Sequence, residues 1–96
     1  MMMLICYDVN TQDPAGQKRL RKVAQVCEDY GQRVQNSVFE CLVDPVLLVK
    51  LREKLEKIID SKTDSLRYYN LGKSWKTRVL HIGAKQAYDP EGPMII

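Results

Sequence analysis

The sequence predicts an α+β fold with its elements in the order β-α-β-β-α-β and one further strand near the end. Asp-Pro pairs at 13–14 and 44–45 each open a stretch whose apolar residues recur at helical spacing. Segments rich in strand formers precede, separate and follow those two stretches. All of this occupies 96 residues, 45% hydrophobic and 28% charged, the balance of one soluble globular domain.

The first strand is the apolar run Met3-Leu4-Ile5-Cys6-Tyr7. It stops at Asp8, after which Asn10-Thr11-Gln12-Asp13-Pro14 is polar, as expected where a buried strand ends. Asp13 is an N-cap, Pro14 takes the first helical position, and Leu20, Val23, Ala24 and Cys27 form an apolar stripe that runs to Tyr30, with Gly31 as the stop. The first half of this helix carries Lys18, Arg19, Arg21 and Lys22, left on or beside its solvent face. The helix dipole favours acids there, so the placement costs stability.

From Arg33 to Val43 strand formers dominate, but the apolar phase slips: Val34 and Val38 share one face, whereas Phe39, Cys41 and Val43 take the other. A break near Asn36-Ser37 explains the slip, either as a bulge or as a tight hairpin, the hairpin being favoured. Asp44-Pro45 then starts a second helix, with Leu48, Leu51, Leu55, Ile58 and Ile59 as its stripe and an end near Asp60. Its outer face alternates charge, and Glu53 with Lys57 makes an i,i+4 pair, so the helix reads as a solvated cover for the sheet. Ser65 to Leu71 and Thr77 to Gly83 read as two strands joined by Gly72-Lys73-Ser74-Trp75-Lys76, an antiparallel hairpin. Beyond a domain of residues 1–83, an extension of residues 84–96 is broken by Asp89-Pro90 and Gly92-Pro93. It closes on Met94-Ile95-Ile96, apolar residues that want a surface on a second subunit.

This order is that of a ferredoxin-like sandwich, an antiparallel sheet with both helices on one face. The other face stays uncovered, and in so small a domain pairing it with a copy of itself makes a two-fold homodimer the default. No apolar stretch reaches the roughly 18 residues of a membrane span, and no signal-peptide pattern opens the chain, so no membrane association and a cytoplasmic location are expected. Cys6, Cys27 and Cys41 are scattered in apolar or helical contexts and read as reduced core thiols. A net charge of +3 permits an anionic partner, and the cations concentrate in the first helix and in residues 65–96.

Asp8 is the leading functional candidate: a carboxylate held by a rigid strand beside a loop that water, a metal ion or a phosphate can reach. The commoner role of such a residue is an Asx-turn that ends the strand. One carboxylate is too few for phosphodiester cleavage with a divalent ion, since Mg²⁺ seeks octahedral oxygen coordination, but two copies near a dimer axis can share an ion. Asp64 and Glu40 sit near strand ends and are weaker candidates, and Glu53, Glu56 and Asp60 belong to the charged helix face. His81 stands alone in its segment and reads as structural.

The helix cations read as a solvated face or as a phosphate grip. Arg33 and Gln35 begin the strand expected to lie beside that of Asp8, and Arg suits phosphate. The run Lys73-Ser74-Trp75-Lys76-Thr77-Arg78 adds Lys73, Lys76 and Arg78 around an indole that either stacks on bases or caps the core. No glycine-rich phosphate loop is present.

Tyr7-Asp8-Val9, the segment Gly31-Gln32-Arg33-Val34-Gln35-Asn36-Ser37-Val38-Phe39-Glu40, and Asp64-Ser65-Leu66-Arg67-Tyr68-Tyr69 together resemble the small CRISPR-associated nuclease family called Cas-two. The likeness covers nearly the whole chain, and the second segment is the specific one. The resemblance implies a ferredoxin-like homodimer that binds Mg²⁺ or Mn²⁺ between two copies of Asp8 and acts as a metal-dependent endonuclease on RNA or DNA. It also implies an adaptor role, with cleavage dispensable, in which the dimer bridges the CRISPR integrase, the family's first protein, in the complex that inserts new spacers; the extension of residues 84–96 is then expected either to add a strand to the partner subunit or to dock the integrase. Tyr7, Asp8, Arg33 and Phe39 match positions the family associates with its site, with Arg19 and Arg21 as further matches among the helix cations.

Overall fold

The computed structural model describes residues 1–83. Its elements are β1 (Met2–Asp8), α1 (Pro14–Tyr30), β2 (Gln32–Gln35), β3 (Val38–Leu42), α2 (Pro45–Ile58) and β4 (Ser65–Gly72), then one turn of 3-10 helix at Trp75–Thr77. Both helices start as expected. Asp13 Oδ1 accepts the Gly16 N–H at 2.7 Å and Asp44 Oδ1 accepts the Leu47 N–H at 2.8 Å, each satisfying a donor that the first helical turn leaves open.

The strands form one antiparallel sheet in the order β2-β3-β1-β4, the ferredoxin-like arrangement. Alternation along β1 sends Met3, Ile5 and Tyr7 to the helix layer. There they join Phe39 and Cys41 of β3, Val23 and Cys27 of α1, and Leu51 and Leu55 of α2 in the core. The register puts Leu4, Cys6 and Asp8 on the opposite face, with Val38, Glu40 and Leu42 on one side and Ser65, Arg67 and Tyr69 on the other. No helix among the described residues covers that face.

The apolar slip between Val34 and Phe39 has both proposed causes. Asn36-Ser37 is the turn of a β2–β3 hairpin, and the register steps from Arg33↔Phe39 to Gln35↔Val38, which leaves Val34 as a bulged residue.

The structure corrects three expectations. Residues 77–83 form no strand. The 3-10 turn is closed by bonds from the Thr77 and Arg78 N–H groups to the Ser74 and Trp75 carbonyls, and Trp75 is buried, so side-chain burial and local bonds replace a hairpin with β4. His81 is accordingly exposed on irregular backbone, and Leu80 and Ile82 are among the most exposed apolar residues. Second, β2 does not neighbour β1, because the hairpin places β3 between them. Third, Glu53 and Lys57 make no ion pair; the pair on α2 is Arg52–Glu56 at 3.3 Å. The extension of residues 84–96 lies outside the described residues.

All three cysteines are free. Burial pushes the Cys27 and Cys41 thiols up to about 12, which keeps both protonated and inert. Cys6 is half-buried on the uncovered face.

Candidate functional site

Asp8 closes β1 opposite Ser65 of β4, and it is exposed. Its carboxylate has no hydrogen-bond or ion-pair partner among the described residues. The turn that follows is built by other groups: Asn10 Oδ1 accepts the Gln12 N–H at 3.0 Å, so the Asx-turn belongs to Asn10. The commoner role of a strand-end aspartate is thus filled two residues later, and Asp8 is free of it.

Asp64 is the opposite case. Its side chain is fully buried and receives Arg19 Nε at 2.8 Å, the Asp60 N–H at 2.9 Å, the Asn10 N–H at 3.0 Å and the Thr63 hydroxyl at 3.2 Å. The Arg19 bond and those backbone donors hold its carboxyl well below the usual carboxylate range. Asp64 therefore ties the loop after β1, the helix α1 and the turn before β4 together. Sequence reasoning placed it only near a strand end; nothing local signals that Arg19, 45 positions earlier, completes it.

Tyr7, Arg33 and Phe39 come together on the helix side of the sheet, around the Asn36-Ser37 turn. The Tyr7 hydroxyl donates to the Asn36 carbonyl at 3.2 Å, Arg33 donates to the same oxygen at 2.8 Å, and the Tyr7 N–H bonds the Ser37 carbonyl at 3.1 Å. The Arg33 guanidinium lies 5.0 Å from the Phe39 ring centroid and 3.3 Å from Glu28, and the Tyr7 and Phe39 rings stack at 6.2 Å. Burial raises the Tyr7 phenol against the opposing pull of Arg33, so the hydroxyl stays a donor. These side chains pin the turn that continues the β1–β3 ladder beside Asp8. Asp8 itself faces the other side of the sheet from all three.

The other predicted cations are not gathered at Asp8. Arg19 is held by Asp64, while Lys18, Arg21 and Lys22 are exposed on α1. Lys73, Lys76 and Arg78 follow Gly72, which pairs with Met2. That is the far end of β1 from Asp8, about 20 Å at strand rise. Trp75 is buried with Lys76 5.6 Å from its ring centroid, so the indole does not offer an open stacking face.

For a divalent ion at the end of β1, the donor set among the described residues is the Asp8 carboxylate alone. No group of three His, Cys, Asp or Glu residues stands together among the described residues. Glu40 shares the face of Asp8 but pairs with Leu4, about 13 Å back along the strand. The residues fit an ion only if a second copy supplies the other half of the site.

What fold and site define is a ferredoxin-like sandwich that presents a free strand-end carboxylate on its open sheet face and cations on its helix layer. The chain belongs to the family described as CRISPR associated protein Cas2, which matches residues 1–79. A relative from Rhodospirillum rubrum, named CRISPR-associated endoribonuclease Cas2 3, is 60% identical over 95 residues, covering 99% of this chain and all of its own. The crystal structure of Streptococcus pyogenes Cas2 at pH 6.5 is 61% identical with a TM-score of 0.77, over 86% of this chain and all of that one. A chain of a partial Cas6-RT-Cas1–Cas2 complex matches at 31% identity and a TM-score of 0.69, over 98% of each chain. No helix among the described residues is long and apolar enough to cross a membrane.

Proposed function

We propose that this chain is a metal-dependent endonuclease that cleaves RNA phosphodiester bonds as a two-fold homodimer and takes part in CRISPR spacer acquisition in the cytoplasm. The observation that carries the reading is the exposed Asp8 carboxylate, unpartnered among the described residues, on a sheet face that no helix of those residues covers. The name of the Rhodospirillum rubrum relative supports RNA as the substrate. Asp8 of each protomer would hold Mg²⁺ or Mn²⁺, which supplies an activated water and charge neutralisation at the phosphate. Tyr7 and Phe39 position the Asn36-Ser37 turn beside Asp8. Arg33, bound to that turn and partly exposed, keeps further N–H donors for a phosphate oxygen.

Asp8→Ala is expected to lower the metal-dependent rate on RNA about 100-fold or more with an unchanged melting temperature, because the carboxylate supports no part of the fold. Cleavage at the wild-type rate by protein purified free of contaminating nuclease would sink the reading.

The dimer has its own measurement. Cys6 lies on the uncovered face, so its reaction with a thiol reagent should slow at least tenfold as protein concentration rises through the dimerisation range, while Cys27 and Cys41 stay protected throughout. A Cys6 rate independent of concentration would move the interface elsewhere.

A second reading, a non-catalytic adaptor that grips nucleic acid and bridges integrase dimers, is favoured by the separation of the α1 cations from Asp8 onto opposite layers. The match to a chain of a complex containing Cas1 supports it as well. Spacer acquisition by cells carrying Asp8→Ala decides: retained acquisition favours the adaptor, and lost acquisition with an intact complex favours catalysis.

A further inference from the structure

Asp8 is the last residue of β1, and its carboxylate has no partner among the described residues, so its aim is set by the backbone. The rung it makes with Ser65 ends the β1–β4 ladder, the kind of place where a sheet frays. Tyr7 and Val9 on either side are buried in the core, but Asn10, Thr11 and Gln12 are exposed. The loop that follows Asp8 must therefore be held from beyond the ladder.

Two contacts hold it, one at each end of the Asn10 backbone. Asp64, the residue before Ser65, accepts the Asn10 N–H at 3.0 Å. The Asn10 carbonyl lies against Gly16 in the first turn of α1, where a Cβ would run into the carbonyl oxygen and come within 3.2 Å of Thr11 Cα. Gly16 is buried and helical, so glycine serves here by leaving room for the loop. Asp64 is not itself available to a metal. Its side chain is fully buried, Oδ1 accepts from Asn10, Thr63 and Arg19, and Oδ2 accepts from Arg19 and Asp60. What it does is pass the rigidity of α1, through Arg19, to the residue two beyond Asp8.

We infer that Asp64 and Gly16 are positioning residues for the Asp8 carboxylate: they clamp Asn10 and so hold each copy of Asp8 where two can share one divalent ion. The inference rests on the metal-site reading above. Such an ion takes oxygens at about 2.1 Å in near-octahedral order, so two carboxylates that each wander do not meet it together. Two-fold symmetry repeats in one protomer any displacement made in the other.

The test measures Mn²⁺ binding without substrate, from the EPR signal of the free ion, at a protein concentration that keeps the dimer assembled. Asp8→Ala should abolish binding. Asp64→Asn and Gly16→Ala are each expected to weaken it about 10- to 100-fold, the usual effect of losing a group that orients a ligand. Gly16→Ala keeps every charge and introduces a better helix former, so it decides the matter even where Asp64→Asn folds too poorly to measure. Leu55→Ala truncates a fully buried core residue of α2; it lowers the melting temperature and should leave Mn²⁺ affinity at the wild-type value. Wild-type affinity in Gly16→Ala or in folded Asp64→Asn overturns the proposal. Equal weakening in Leu55→Ala also overturns it, because the effect is then general loss of stability. Failure of the metal-site reading looks different: Asp8→Ala then binds Mn²⁺ as the wild type does, and both claims fall together.

Discussion

Replacing Gly31 by alanine is expected to destabilise the domain by about 3 kcal/mol, lowering the melting temperature by roughly 15 °C. Gly31 follows α1 with φ −170°, extended backbone that any residue adopts, so the need for glycine there is not conformational. A Cβ at this position would run into the Glu40 carbonyl oxygen and come within 2.7 Å of Cys41 Sγ and 2.8 Å of Cys41 Cα. Most of that obstruction is the backbone of β3, which cannot give way without shifting a strand in the centre of the sheet. Gly72 provides the contrast: its φ is +76° and a Cβ there would meet nothing within 4 Å, so Gly72→Ala should cost only the backbone strain of about 1 kcal/mol. Thermal unfolding of the two variants checks the pair. Equal losses would contradict the close-approach account.

Asp64→Ala is expected to cost about 3 kcal/mol, since it strands Arg19 and leaves the Asn10 and Asp60 N–H groups without their acceptor. The same carboxylate predicts a pH dependence. Its folded-state pKa lies below the unfolded value, so its contribution is complete above the ordinary carboxylate range, near pH 4, and is lost as pH falls through and below that range. The difference in melting temperature between wild type and Asp64→Asn should therefore be largest at neutral pH and shrink toward pH 3. A difference constant across that range would show that the stabilisation comes from shape and not from charge.

Both helix starts, the strand that ends at Asp8 and the Asn36-Ser37 hairpin were legible because their causes are local. A capping carboxylate acts three residues ahead, and an apolar stripe repeats within a turn or two. Gly31 was legible as a stop, yet its reason was not, because the obstructing atoms belong to residues 40 and 41 in a different element. Thr77 to Gly83 carries strand formers but no strand, since the burial of Trp75 and two local hydrogen bonds outweigh propensity.

The candidate site divides in the same way. Asp8 could be singled out from sequence because a charge ending an apolar run is a local event. That it is free of the turn depends on Asn10, and that Arg19 is engaged depends on Asp64, which neither residue type nor spacing reveals. Arg33 was expected next to β1 and instead reaches the turn beside Asp8 from the edge of the sheet, across Phe39.

By itself the sequence determined the two helices, the first four strands, their order and the identity of the strand-end acid, because caps, periodicity and turns act over a few residues. Only the tertiary structure decided which of these residues share a surface. It put Asp8 on the open face, the α1 cations on the other layer, and the basic loop at the far end of β1. The physical reason is that strand pairing joins residues up to 70 positions apart, and one residue of register moves a side chain from one face to the other.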